Sequence, residues 1–154
     1  MKINYKKLAI AIAIPLVLGA ISGFVTMNSM KDFEMLSKPP LSPPGIVFPI
    51  AWTILYTLMG IASYVVYSSD CYCKSAGLRV YGLSLLFNII WPVIFFSLRL
   101  YLVAIVWLIV LILLVFITAL LFYSCKKAAG YLLLPYLIWL VFALYLNIGI
   151  YLLN

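Results

Sequence analysis

The chain has 154 residues, of which 68% are hydrophobic and 8% are charged, and its net charge is +7. Soluble domains are about half apolar and a quarter charged, whereas the mean hydropathy here is +1.27, so the composition predicts an integral membrane protein and excludes a soluble domain. The ten basic residues are scattered between apolar runs, which is typical of membrane topology signals and not of a nucleic-acid-binding surface.

The first apolar run spans residues 8–27 and follows three lysines. The apolar region of a signal peptide is about 7–15 residues long, so the pattern favours a retained membrane helix, with cleavage near Ala20-x-Ser22 as the alternative. Gly19 and Gly23 form a GxxxG pair, which is typical of closely packed helices. Membrane helices also carry glycine without such contacts, so both interpretations stay open.

The predicted first loop covers residues 28–45 and contains Pro39, Pro40, Pro43 and Pro44. Each proline ring removes a backbone donor and forces the preceding residue toward extended geometry. We therefore expect a rigid, shaped loop.

Four further spans follow, at residues 46–67, 79–97, 101–123 and 130–153. Pro92 predicts a kink in the third span, and Pro135 interrupts the fifth. The sequence thus predicts an all-α membrane protein, a five-transmembrane-helix bundle forming a single domain over residues 1–154.

Basic residues are distributed unequally between the two sides of the predicted bundle. One side carries Lys2, Lys6, Lys7, Lys74, Arg79, Lys126 and Lys127, and the other carries Lys31, Lys38 and Arg99. Because cytoplasmic loops are enriched in lysine and arginine, we expect a cytoplasmic N-terminus, with the first loop and the C-terminus outside a bacterial cell membrane.

The cysteines and the missing histidine limit the available chemistry. Cys71, Cys73 and Cys125 all fall on the predicted cytoplasmic side, where thiols stay reduced, so we expect no structural disulfide. The C-x-C spacing leaves a three-thiolate metal site as an alternative, but the chain has no histidine, and we expect no metal. The usual general base and the commonest haem ligand are missing as well.

Acidic side chains are equally scarce. Asp32, Glu34 and Asp70 are the only carboxylates, and all three lie in predicted loops. No charged residue lies in the middle of any predicted span. This argues against a proton relay, an ion-coupled transporter or a voltage sensor. We therefore assign no catalytic residue and lean against an enzyme.

Aromatic and polar residues form one stripe on each of three spans, at helical spacing. The stripes are Phe48, Trp52 and Tyr56; Ser84, Asn88, Trp91 and Phe95; and Tyr136, Trp139, Ala143 and Asn147. Turned inward, they would line a cavity for a flat, mildly polar hydrophobic ligand. Alternatively, the two asparagines only pin helices together and the aromatic rings only pack.

Three segments resemble the TspO/MBR family, the tryptophan-rich sensory proteins or translocator proteins, in order and spacing. They are residues 33–45 with Phe48, Trp52 and Tyr56; residues 88–96; and residues 133–139 with Phe142, Ala143, Leu146 and Asn147. The resemblance implies a five-helix bundle, often dimeric, that binds porphyrins such as protoporphyrin IX and haem, and synthetic isoquinoline or benzodiazepine-type ligands. It implies no required cofactor. Carried over by position, the pocket residues are Pro43, Pro44, Trp52, Asn88, Trp91, Trp139, Ala143 and Asn147, to which the stripes add Phe48, Phe95 and Tyr136.

The sequence departs from the family pattern around the first loop. Asp32-Phe33 stands where relatives often have Trp-Tyr, and Leu41 stands where they often have tryptophan. The loop has thus lost aromatic surface, which predicts an altered ligand preference. No basic residue follows Tyr145 or Tyr151, so a sterol-transport motif is not supported at the end of the fifth span.

The predicted mode of binding is stacking of a metal-free porphyrin on Trp52, Trp91 or Trp139, with its propionates reaching Lys31 or Lys38. Three alternatives stay open: a tetrapyrrole transporter or stress sensor, light- and oxygen-dependent porphyrin degradation with Trp52 and Trp139 as redox participants, and a scaffold without a ligand.

Overall fold

A computed structural model describes residues 2–154 of the chain. Its helices are α1 (Tyr5–Phe33), α2 (Val47–Tyr67), α3 (Lys74–Pro92), α4 (Tyr101–Cys125), α5 (Lys127–Leu132) and α6 (Leu134–Leu153), and a π-helical turn, Val93–Ser97, continues α3. Within residues 2–154, five helical stretches are long and apolar enough to cross a membrane, the last of them formed by α5 and α6 together. The predicted five-span, all-α bundle is thereby confirmed.

Helix α2 lies at the centre of the bundle, and α1 lies at its periphery. In the most apolar stretch of α2, 44% of the residues are buried, whereas 11% are buried in the corresponding stretch of α1. The two backbones approach closely at Gly60, where a Cβ atom would lie 2.5 Å from the Cα of Ile12. Gly19 faces the Tyr56 ring, whereas a Cβ atom added at Gly23 would have no neighbour within 4 Å. The GxxxG pair is therefore split between an internal contact and the outer surface of the bundle.

Helix α4 packs between α3 and α6. Its inward face is a column of apolar side chains that includes Leu108, Leu111 and Val115, each 1% exposed. The indole of Trp107 stacks on Phe87 and donates a 2.9 Å hydrogen bond to the Phe87 carbonyl oxygen. This hairpin forms the wall against which the remaining helices pack.

The third span changes its helical geometry immediately after Pro92. Because proline has no N–H to donate, the ladder is broken there, and the chain continues in π-helical form with a 2.9 Å bond from the Leu98 amide to the Val93 carbonyl. The wide turn buries Ile94 and Phe95.

Two helices extend beyond the predicted spans by several residues. Helix α1 continues to Phe33, beyond the predicted end at residue 27, so the first loop is residues 34–46. Helix α3 begins at Lys74, ahead of the predicted residue 79. In both places polar residues extend the helix past the apolar run, because a helix can continue beyond the hydrocarbon core of the membrane.

The fifth span is interrupted as predicted, two residues before Pro135. The break lies at Leu133, between α5 and α6, and Pro135 occupies the first turn of α6. Proline is well tolerated in a first turn, because its missing N–H would have had no helical partner there.

The expectation of no disulfide is contradicted. Cys71 and Cys125 form a disulfide, with their Cα atoms 5.3 Å apart. They meet because the turn between α2 and α3 and the end of α4 lie at the same end of the bundle.

Candidate functional site

Five aromatic side chains from α2 and α6 contact one another and form what we term the tryptophan cluster: Phe48, Trp52, Tyr56, Tyr136 and Trp139. Trp52 is at its centre, stacked on Tyr56 with ring centroids 5.3 Å apart and in edge contact with Tyr136 at 6.1 Å and Trp139 at 6.4 Å. Phe48 meets Trp139 at 6.0 Å. Edge and offset-stacked contacts of this kind stabilise aromatic groups beyond simple burial.

The amide of Asn88 connects the tryptophan cluster to α3. Its Nδ2 donates a 2.6 Å hydrogen bond to the Tyr136 hydroxyl, and the Tyr56 hydroxyl donates to its Oδ1 at 3.4 Å. Asn88 is only 2% exposed. A buried amide is costly unless it is satisfied, so Asn88 pins α2, α3 and α6 together and orients the two tyrosines.

A second aromatic group surrounds Trp91 at the end of α3. The Trp91 indole donates a 3.3 Å hydrogen bond to Oδ1 of Asn147, whose Nδ2 donates to the Tyr101 carbonyl oxygen at 3.2 Å. The Trp91 ring stacks on Phe95 at 5.2 Å, and Phe95 meets Tyr101 at the same distance. Asn147 is therefore also a satisfied helix-to-helix bridge.

The predicted site residues are thus divided between two neighbouring groups. Phe48, Trp52, Tyr136 and Trp139 lie in the tryptophan cluster, with Asn88 bonded to it. Trp91, Phe95 and Asn147 lie in the second group, and Ala143 is buried on α6 between Trp139 and Asn147 in sequence. Of the loop prolines, Pro43 is half-buried and Pro44 is exposed.

The first loop is docked on the end of α6 by three contacts. The Tyr145 hydroxyl donates a 2.6 Å hydrogen bond to the Pro40 carbonyl oxygen. The buried Pro39 ring covers Gly149, where a Cβ atom would be 2.5 Å from that ring. The Asn154 side chain accepts from the Ser37 amide and donates to the Ser37 carbonyl oxygen.

These docking residues were not predicted from the sequence. Tyr145 and Gly149 are four residues apart on one face of α6, and this spacing was the available signal. A small residue one turn from a tyrosine gives a recess beside a hydrogen-bond donor.

Leu41 lies on the outside of the docked loop. Its backbone is left-handed, with φ 67°, and its side chain is 83% exposed. A leucine in this conformation is strained. A tryptophan at this position, as in the family pattern, would therefore lie on the outer surface of the loop and would not line a pocket.

Charged groups surround the junction of α1, the first loop and the turn before α4. Arg99 and Asp32 form an ion pair in which both side chains are about 60% exposed. The Lys38 ammonium lies 4.8 Å from the centre of the Phe33 ring. A hollow of about 30 Å³ between Phe33, Phe95 and this ion pair is large enough for a water molecule only.

A larger cavity of about 400 Å³ lies at the opposite end of the bundle, between α1, α2 and α3. It is lined by Lys7, Ile10, Ala11, Ile14, Ser63, Tyr64, Tyr67, Leu78 and Tyr81. Its volume is in the range of ligand sites, about 300–1,000 Å³. Among residues 2–154 the Tyr81 hydroxyl has no hydrogen-bond partner. The sequence pattern did not predict this cavity, because its walls are mainly the small and aliphatic residues that any packed helix presents.

Comparison with known proteins places the chain in one family. It is 36% identical over 152 residues to the tryptophan-rich protein TspO of Archaeoglobus fulgidus, covering 98% of this chain and 99% of that protein. It is 34% identical over 150 residues to the tryptophan-rich protein TspO of Chlorobaculum tepidum, covering 96% and 95%. It is 35% identical to the human translocator protein over 133 residues, covering 82% and 76%.

The match to the family as a whole extends over residues 11–153, which include α1 from residue 11, the four later spans and every residue of the two aromatic groups. The resemblance inferred from the first loop, the third span and the fifth span is confirmed. The chain belongs to the TspO/MBR family of integral, multi-pass membrane proteins.

Proposed function

We propose that this protein binds a porphyrin, protoporphyrin IX or haem, or a related flat hydrophobic ligand, between the docked first loop and the tryptophan cluster. The supporting observation is the convergence of Trp52, Tyr136 and Trp139 from two helices at one site. A porphyrin is a large planar π system, and indole rings offer flat, polarizable surface for stacking.

The polar groups near this surface are few and fixed. Asn88 and Asn147 are each bonded to a tyrosine or tryptophan side chain. A mostly apolar site with a small number of oriented polar groups is typical of small-molecule binding. The same bonds also stabilise the bundle, so the amides serve packing whether or not a ligand is bound.

The metal-free porphyrin fits the residue set better than haem does. The chain contains no histidine, so haem iron would lack its commonest protein ligand. Binding would depend on ring stacking and on the propionates, which Lys31, Lys38 and Arg99 would attract from the loop end of the bundle.

A fluorescence titration with protoporphyrin IX in detergent tests the proposal. The Trp52→Ala, Trp139→Ala double variant removes two stacking surfaces. Stacking of a nucleic-acid base on an aromatic side chain contributes about 1–3 kcal/mol, and we take this as the scale for a porphyrin on an indole. We therefore expect at least a tenfold loss of affinity. Unchanged affinity in this variant would refute the proposed site.

Two control variants separate the site from general effects. Trp107→Ala removes an indole that stacks on Phe87, outside both aromatic groups, and should retain binding. Ala11→Phe places a phenyl ring in the 400 Å³ cavity at the opposite end and should also retain binding. If Ala11→Phe abolishes binding and the double tryptophan variant does not, the ligand occupies the other cavity.

Light- and oxygen-dependent porphyrin degradation is a second candidate function, favoured by the 6.4 Å contact between the Trp52 and Trp139 rings. Adjacent indoles beside a bound, excited porphyrin could pass an electron to or from it. Equal decay of illuminated porphyrin with the protein and with empty micelles would exclude this activity.

We also propose a homodimer in a bacterial cell membrane, with the N-terminus in the cytoplasm and the first loop outside. The orientation is supported by the basic residues: Lys7 and Lys74 both approach Tyr67 at one end of the bundle, whereas Lys38 and Arg99 lie at the other. The dimer is supported by Gly23, which is open on the outer face of α1. A Gly23→Cys variant lacking the native cysteines tests the dimer: oxidation should cross-link it if α1 is the contact.

A further inference from the structure

Three sulfur atoms meet at the end of the bundle opposite the first loop. Cys71 lies in the turn before α3, Cys73 is the N-cap of α3, and Cys125 is the last residue of α4. Beside the Cys71–Cys125 disulfide, the free Cys73 sulfur is 3.2 Å from that of Cys125. All three sulfurs lie within 4.8 Å of one another. We term this group the sulfur cluster.

These three residues are all the cysteines of the chain, and two segments far apart in sequence deliver them to one point. Packing of α3 on α4 holds those segments together, so the cluster is preorganised by the fold. Each cysteine is partly buried, and the Cys73 sulfur is 3.5 Å from the Leu121 carbonyl oxygen.

Two basic residues adjoin the sulfur cluster in the sequence. Cys73 lies at the N-terminus of α3. Lys74 follows it directly and donates a 2.7 Å hydrogen bond to the Ser69 carbonyl oxygen, which holds the ammonium beside the turn. Lys126 follows Cys125.

We propose that the sulfur cluster, once reduced, is a binding site for a single soft cation, Cu(I), coordinated by the thiolates of Cys71, Cys73 and Cys125. A thiol reductant opens the disulfide by supplying two electrons and two protons, which yields three thiols; the metal then displaces thiol protons. With the orientation proposed above, the cluster faces the cytoplasm, where thiols are kept reduced.

The ligand set selects Cu(I) over Zn²⁺. Thiolates are soft donors that both ions accept. Structural zinc is almost always bound by four protein ligands, and with no histidine in the chain and no carboxylate in the cluster a fourth protein donor is missing. Three thiolates alone complete a trigonal Cu(I) site.

The test uses the full-length protein, reduced with dithiothreitol and desalted without oxygen, and titrated with Cu(I) against a chromophoric bicinchoninate competitor. A thiol count made before and after reduction should rise from one to three. We expect one Cu(I) per chain. A count that stays at one, or failure of the reduced protein to compete for Cu(I), would overturn the proposal.

Cys73→Ser is the decisive variant, because serine is a good N-cap and the Cys71 and Cys125 thiols remain. Loss of even an outer-shell partner costs about 10–100-fold in metal affinity, so loss of this ligand should weaken Cu(I) binding at least tenfold. Affinity equal to that of the unmodified protein would mean that Cys73 is not a ligand. Tighter binding of Zn²⁺ than of Cu(I) would refute the choice of metal.

Discussion

The Tyr145 hydroxyl donates a 2.6 Å hydrogen bond to the carbonyl oxygen of Pro40 and so ties the proline-rich first loop to α6. The contact joins residues 105 positions apart in the chain. It connects the loop directly to the helix that supplies Tyr136 and Trp139 to the tryptophan cluster.

Tyr145→Phe should accelerate release of bound protoporphyrin IX. A hydrogen bond of this kind contributes about 0.5–1.5 kcal/mol, which corresponds to an increase of about two- to tenfold in the dissociation rate if the loop retains the ligand. Stopped-flow fluorescence after dilution measures it. Tyr151→Phe, a hydroxyl deletion elsewhere on α6, is the control, and an identical rate in both variants would show that the Pro40 contact does not retain the ligand.

Gly149→Ala should displace the loop from α6. The added Cβ would lie 2.5 Å from two atoms of the Pro39 ring, and a rigid proline ring cannot rotate away from it. We expect faster hydrogen–deuterium exchange of the Ser37 amide and weaker porphyrin binding. Gly82→Ala adds the same methyl group where nothing lies within 4 Å; if both substitutions have the same effect, Pro39 is not responsible.

Asn88→Ala should destabilise the bundle. It removes both hydrogen bonds of the amide and leaves the buried Tyr136 hydroxyl without its partner. Side-chain hydrogen bonds in membrane bundles average about 0.6 kcal/mol, and an unsatisfied buried group adds about 1–3 kcal/mol. The midpoint of thermal unfolding should therefore fall. Tyr136→Phe deletes one side of the same bond and should be less damaging than Asn88→Ala; the reverse order would contradict this interpretation.

Asp32→Ala should leave stability nearly unchanged and strengthen binding of an anionic porphyrin. The ion pair with Arg99 is exposed, and such pairs contribute about 0–1 kcal/mol. Without Asp32, the Arg99 guanidinium is available to a propionate, so protoporphyrin IX should bind up to about fivefold more tightly. The dimethyl ester of protoporphyrin has no carboxylates and should bind the variant and the parent equally; a gain for the ester as well would exclude the charge mechanism.

Composition and periodicity were sufficient for the five spans, because the hydrocarbon thickness fixes the length of an apolar helix. They did not determine where helices end. The extension of α1 to Phe33 and of α3 back to Lys74 lies in polar sequence, where no burial requirement marks a boundary. The Asp32–Arg99 ion pair forms because the α3–α4 turn lies beside the end of α1. The sequence around Asp32 gives no information about the position of that turn.

The candidate site was predictable in its residue types but not in its contacts. Helical spacing identified Trp52, Asn88 and Trp139 as inward-facing. Spacing along one helix cannot show that Asn88 bonds Tyr136 while Trp91 bonds Asn147, since that depends on the rotation of α3 against α6. The disulfide was missed for a different reason: the predicted reducing compartment was used in place of geometry, and spacing alone cannot show that Cys71 pairs with Cys125.

The closed contacts of the tryptophan cluster have a kinetic consequence. Trp139 already contacts both Phe48 and Trp52, and the first loop is docked on α6, so a planar ligand can enter between the loop and the cluster only after these contacts open. Opening therefore precedes binding, as in conformational selection. The observed association rate should level off at high porphyrin concentration, and that plateau would equal the rate at which the empty protein opens.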